Sequence, residues 1–338
     1  LTDPGESAGV KLAAARAWAL TLARRLTPET GLAWVESIRA AAAAGDAEYE
    51  SRALWGYAVY LAYVGRPREA LVCLDRFRHL TGQDWSAAPD GERLLAHIEV
   101  YAGRLRIATR RLEALASRWG GLEDRPGLSR FQMDLPVAIG MSLSFLLWLR
   151  GDPERAGEIA SRTVARAEAV DHLVSHGNAI ALGALPVAFL TGDLGKAAEL
   201  QRRLEEDSGR EGIAIWPGVS CFFAGAIQVA QGRGDGLAAM REGVAELSEG
   251  GWVTRTALYH CLIADALIEA GDLDQARLAL STARSGRNLR EERWCHPEIF
   301  RIAGLIDAGM QKPLEAERWL NRSLQAARTM GALSLELR

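Results

Sequence analysis

The 338-residue sequence predicts an all-α fold, a solenoid of about seven antiparallel helix pairs, on three observations. Glycines recur at Gly65, Gly103, Gly151, Gly192, Gly232, Gly271 and Gly309, separated by 38, 48, 41, 40, 39 and 38 residues. A period near 40 is the signature of stacked supersecondary units. Alanine follows five positions later at Ala70, Ala108, Ala156, Ala197 and Ala276, and short insertions move it to about Ala238 and to Ala316 in the other two. Between these marks apolar residues recur at three and four, as in "ALIEAG" and "ARLALSTA", without sustained strand-like alternation.

Each element follows from these marks. Two helices over 10–26 and 29–44 open the chain, and the repeats begin near residue 50. In each repeat the glycine ends the first helix, because it adopts positive φ without a Cβ clash. Seven residues earlier stands a small residue, Ala58, Ala96, Ser144, Gly225 or Ala264, with Leu185 as the exception. Aspartate in the turn, as in "LRGDPERA" (149–156), "LTGDLGKA" (190–197) and "EAGDLDQA" (269–276), caps the second helix, and the alanine lets it pack against the first. Gly- and Pro-bearing segments at 81–92 and 117–130 read as loops. Trp216-Pro217-Gly218 and Trp294 begin first helices at matching places and are expected to staple successive repeats. The expected organisation is a single solenoid over 1–338, with N-terminal helices in 1–49 and repeats in 50–338, cut from a larger protein, since it opens on Leu1.

The glycine, small-residue and alanine positions resemble the tetratricopeptide pattern, stretched beyond its 34-residue period. The fold implied is a tetratricopeptide-like right-handed α-α superhelix. More specific are "EERWCHPEIFRIAGLIDA" (291–308) and "EAERWLNRSLQAARTMGALSLELR" (315–338), with "ESRALWGYAVYLAYVGRPREAL" (50–71) and "GALPVAFLTGDLGKA" (183–197). These resemble the tetratricopeptide tail of bacterial multidomain transcriptional regulators. In that family the tail follows an ATPase of the signal-transduction type, and a winged-helix DNA-binding or adenylate cyclase output domain stands at the front. The resemblance implies a regulatory role whose partners include those other domains. The chain has no GxxxxGK[ST] loop and no basic recognition helix, so neither nucleotide hydrolysis nor DNA reading is carried over.

Composition bounds the rest. With 49% hydrophobic and 25% charged residues the chain can bury a large core. A formal charge of -3 gives no basic footprint, so no direct nucleic-acid partner is expected. Cys73, Cys221, Cys261 and Cys295 form no CxxC pair, which fits buried thiols in a reducing, cytoplasmic setting. Apolar runs such as "MSLSFLLWL" (141–149) fall short of a bilayer span, so no membrane partner is expected either.

First helices of a solenoid line its concave face. Counting back from each glycine, the inward positions near -13, -10, -6, -3 and -2 give the candidate ligand-binding residues Arg52, Trp55, Arg93, His97, Tyr101, Met141, Phe145, Trp148, Phe189, Phe222 and Asp265, with Tyr63, Cys261 and His296 in the same columns. An aromatic groove with a few polar groups suits a small molecule or a peptide segment. Tight winding would instead make the same residues core. His176, Arg255 and Arg293 share the -16 column and form a polar rim able to hold a carboxylate if it faces inward. His172 and His176 lie four apart, but the carboxylate half of a two-histidine metal site is missing, so no metal is expected. "QGRGDG" (231–236) reads as a turn with an insertion. No GxSxG elbow, Cys-His arrangement or apolar carboxylate pair is present, so no catalytic residue and no cofactor are expected. The function these readings predict is signal reception, with a passive protein-protein scaffold as the alternative and an enzyme with an unfamiliar site as a second.

Overall fold

The computed structural model describes residues 4–23, 26–82, 88–119, 133–211, 215–233, 235–285 and 292–338. These form an all-α, tetratricopeptide-like solenoid of seventeen helices, with no strand among them. A leading pair, α1 (Pro4–Ala23) and α2 (Pro28–Ala43), precedes α3 (Ala47–Tyr63) and α4 (Pro67–Leu80), then α5 (Pro89–Tyr101) and α6 (Leu105–Trp119). Next come α7 (Leu135–Leu149) with α8 (Pro153–Val170), and α9 (Leu173–Leu190) with α10 (Leu194–Glu211). The C-terminal half pairs α11 (Trp216–Ala230) with α12 (Gly236–Glu249), α13 (Thr256–Glu269) with α14 (Leu273–Arg284), and α15 (His296–Gly309) with α16 (Pro313–Met330). A short α17 (Leu333–Leu337) ends the chain. The opening helices are shifted from the predicted 10–26 and 29–44, because Pro4 and Pro28 stand in the first turns, where a missing N–H costs nothing. The loops expected at 81–92 and 117–130 lie partly outside the described residues; within them, Pro89 already starts α5 and α6 runs to Trp119.

The repeat turn has one hydrogen-bond pattern. Gly151 N–H donates to the Trp148 carbonyl at 2.9 Å and Asp152 N–H to the Leu147 carbonyl at 3.0 Å, which satisfies two carbonyls the helix end would leave bare. The Asp46, Asp152, Asp193 and Asp272 carboxylates then accept from backbone N–H groups in the first turn of the following helix at 2.9–3.2 Å. Ala70, Ala108, Ala156, Ala197 and Ala276 are fully buried at the contact between the paired helices. Ala276→Trp is expected to overpack α13 against α14 and cost about 1–3 kcal/mol, read as a lower Tm; an unchanged Tm would show the pair is loosely packed.

Two positions differ from the sequence alignment. Gly309 lies inside α15, and the left-handed turn residue is Gln311, with φ 61°. Gln311 N–H bonds Ala308 and Lys312 N–H bonds Asp307, the same pattern as at the glycines. Counting from Gln311 puts a small residue, Gly304, at -7 and Ala316 at +5, so the motif was intact and only its glycine had been replaced. In the fifth repeat Ala238 is exposed, and the close approach is made by glycines instead. A Cβ on Gly225 would stand 2.3 Å from the Gly236 carbonyl oxygen.

The stack winds far enough for early helix pairs to meet late ones. Val253 N–H donates to the Tyr63 carbonyl at 2.9 Å, and Trp252 stacks on Tyr63 at 4.2 Å. Leu26 N–H donates to the Gly250 carbonyl at 2.7 Å. Trp294 wedges between Tyr101 and Phe145, and Arg150 Nη1 donates to the Gly331 carbonyl at 2.7 Å. Helices of the second to fourth pairs therefore touch residues some 180 positions later, and the inner wall becomes a core.

One apolar segment is longer than predicted. Helix α9 has 18 residues and an apolar composition sufficient to cross a membrane, although 67% of it is buried within the protein. Its Ala179–Ala184 stretch is π-helical, and Gly183 there lies against the α7 backbone at Met141.

Candidate ligand site

Where the winding stops short of full closure, a cavity of about 90 Å³ remains. Its wall is built by one column of the repeat. Trp55, Arg93, Met141 and Leu182 all stand ten residues before their turn glycines, on α3, α5, α7 and α9, and all four line the cavity. Four successive repeats thus present equivalent positions to one space, because each first helix repeats the geometry of the last. Helix α1 closes one side with Trp18, Thr21 and Leu22, and the 252 loop closes another with Trp252. Trp18 meets Trp34 edge-on at 5.2 Å and Trp55 at 6.1 Å, which fixes the aromatic wall.

The lining is mostly apolar, with three polar groups of different status. Thr21 Oγ1 donates to the Ala17 carbonyl and accepts from Trp34 Nε1. Asn178, at the start of the π-helical stretch, accepts from Trp216 Nε1 through its Oδ1 at 3.1 Å. Arg93 is 3% exposed, its Cζ lies 5.8 Å from the Trp55 ring, and its buried Nε has no hydrogen-bond partner. Burial lowers the Arg93 pKa, with Tyr63 and Asp90 acting in the opposite direction.

Beside the cavity the aromatic middle of the expected groove is packed shut. Phe145 is 1% exposed, Phe222 0% and Trp148 3%. Phe222 stacks on Tyr259 at 4.2 Å, and the Arg255 guanidinium sits 3.8 Å over the Phe145 ring while its Nε donates to Tyr101 Oη at 2.9 Å. His97 Nδ1 contacts Ser142 Oγ at 3.2 Å; burial, then Arg93 and Arg255, hold its pKa well below the usual histidine range. The remaining candidates stand apart. Arg52 pairs with Glu48 at 2.8 Å, Phe189 packs on Phe223, and Asp265 is taken by Arg301 at 2.6 Å and Arg338 at 3.3 Å. Arg301 is the -10 residue once the last turn is counted from Gln311, so the column does continue, but as an ion pair; His296 falls out of the columns.

The -16 column holds carboxylates of the chain itself. His176 Nδ1 meets Asp207 at 2.7 Å, and both Glu292 oxygens accept from the Arg255 backbone N–H at 3.0 and 3.3 Å. Burial pushes Glu292 up to about 8, against the hydrogen bond from Arg255. Arg255 is held at φ 67° where α13 begins, so this seam is a strained joint tied by a buried acid. Trp216 staples neighbouring repeats, with Gly177 and Asn178 of α9 against it, whereas Trp294 reaches across the superhelix rather than to the next repeat. His172 bonds Ser175, and no cluster of three or more metal-binding side chains occurs among the described residues.

Of the residues expected from the sequence, Trp55, Arg93 and Met141 line this cavity, together with Tyr63 of the -2 column. The expectation missed Leu182, which the same column would have supplied, and Trp18, Thr21, Ile215 and Trp252, which lie outside the first helices of the repeats and have no periodic signal.

No protein-family model and no curated protein matches the chain. Among solved structures it is similar to a Rap protein complexed with competence and sporulation factor, with a TM-score of 0.67 and 9% identity over 97% of this chain and 88% of that one. The apo form of RapI aligns with a TM-score of 0.45 and 9% identity over 95% of this chain and 98% of the other. The first likeness shows the fold, a tetratricopeptide-like superhelix wound over nearly the whole chain.

Proposed function

We propose that the chain receives a signal, a small molecule or a peptide segment, in the cavity walled by the -10 column. The signal is passed as altered stacking to the ATPase and output domains of a bacterial transcriptional regulator, where it acts in the cytoplasm. The reading rests on one observation: a single occupant would touch α1, α3, α5, α7 and α9 together. Binding energy at such a point biases the relative packing of five helices, which is what coupling between two arrangements requires. The solved neighbour bound to a competence and sporulation factor supports a binding role for this fold. A binding role suits the wall, which among the described residues is mostly apolar and carries one cation.

A thermal-shift screen with metabolites and short peptides tests this. A ligand at a hundred times its Kd adds about 2.7 kcal/mol to the folded state and raises Tm measurably. Leu182→Phe, which fills the cavity from its own wall, is expected to remove that shift while helicity by circular dichroism stays near wild type. Stabilisation that survives in the filled variant would place binding elsewhere. Silence to every compound with capture of a protein partner would favour a scaffold, and turnover of a stabilising compound an enzyme.

A further inference from the structure

The cavity contains a charge that the protein leaves unmatched. Arg93 is buried and lines the cavity, and among the described residues its guanidinium makes no hydrogen bond and no ion pair. The Trp55 ring lies 5.8 Å from its Cζ and Tyr63 and Asp90 stand in its electrostatic surroundings, none of which pairs with it as a salt bridge. The nearest carboxylate in its electrostatic surroundings, Asp90, is only half-buried and forms no salt bridge with it. Elsewhere in this chain Arg166 pairs with fully buried Asp134 at 3.1 Å and Arg301 with Glu298 and Asp265; Arg255, equally buried, has an unbonded Nη1 of its own but donates from Nε to Tyr101 Oη and lies over the Phe145 ring rather than facing the cavity. An unmatched guanidinium in an apolar chamber is costly unless something brings an acceptor to it.

We propose that Arg93 is the anion-binding group of this cavity, and that its ligand is a monocarboxylate on a short, branched apolar body, either a free acid or the C-terminal residue of a peptide. The inference rests on the reading of the cavity as the signal site. A carboxylate matches the planar fork of one guanidinium in a bidentate pair. A phosphate would bring a second negative charge that no other cation among the described residues of the wall meets, at a heavy desolvation cost. The apolar body follows from Trp18, Trp55, Met141 and Leu182, and the small size from a free volume of about 90 Å³.

The probes are 3-methylbutanoate, its neutral amide, 3-methylbutan-1-ol, and the peptide Ala-Ala-Leu with a free or an amidated C-terminus, titrated onto the 338-residue chain by ligand-observed NMR. The free acid, the free-carboxylate peptide or both are expected to bind about tenfold to a hundredfold more tightly than their amides, with Arg93→Met erasing the difference. Which of the two binds identifies the source of the carboxylate. Without ligand, Arg93→Met is expected to melt at or above the wild-type temperature, because it removes an unmatched buried charge; a lower Tm would mark Arg93 as structural and overturn the assignment. Arg93→Lys, which keeps the charge and loses the fork, is expected to retain part of the preference. Equal binding of acid, amide and alcohol overturns the carboxylate assignment and leaves the cavity reading standing. If none of the probes binds, both fall.

Discussion

Trp294→Ala is expected to destabilise the protein by about 3–5 kcal/mol, and to do so at a distance from its own repeat. The indole is 1% exposed and meets Tyr101 at 6.1 Å and Phe145 at 5.3 Å, both edge-on, on helices 193 and 149 residues earlier in the chain. Its loss removes two aromatic contacts and opens a hole in the seam where the superhelix closes. A truncation inside one repeat would loosen that repeat alone. This one is expected to raise amide exchange in α5 and α7 as well as in α15, together with a lower urea midpoint. Trp294→Phe should recover much of the loss, while Leu314→Ala, at a side chain 67% exposed, should change little. If exchange rises only around residue 294, the last helix pair is not energetically joined to α5 and α7.

Gly225→Val is expected to cost about 3 kcal/mol or more. The new Cβ would stand 2.3 Å from the Gly236 carbonyl oxygen and 2.7 Å from the Met240 nitrogen, and both are backbone atoms. No rotamer change relieves that contact, so α11 and α12 must separate. Gly157 offers the contrast: a Cβ there meets nothing within 4 Å, so Gly157→Ala should stabilise α8 by about 0.5–1 kcal/mol through backbone entropy. Paired melting curves of the two variants separate the close-packing role of glycine from its entropic cost inside a helix. A mild effect of Gly225→Val would mean the pair is not held at this distance in solution.

The helix pairs were legible because their causes are local. A left-handed turn needs glycine or a tolerant substitute, a helix start needs a cap, and paired helices need small residues at fixed offsets. The two errors of alignment show how local the code is. Gln311 took the left-handed turn in place of glycine with the turn's hydrogen bonds and spacing kept; after Gly232 an insertion changed the spacing and left Asp235 without a side-chain cap, yet the turn's backbone bonds were kept and Gly236 makes the close contact. The inward-facing column was legible for the same reason, since residues ten before each turn face one direction on every first helix. That column contains Trp55, Arg93 and Met141 of the candidate site.

What the sequence by itself determined, then, is the unit: helix, turn, helix, and which residues of the first helix look inward. Only the tertiary structure decided which of those inward residues meet one another and which meet space. The small rotation between successive pairs accumulates over eight of them, and no single repeat records the sum. That sum brings Trp252 onto Tyr63 and Trp294 onto Phe145, turns Phe145 and Phe222 into core, and leaves one chamber beside Arg93 unfilled.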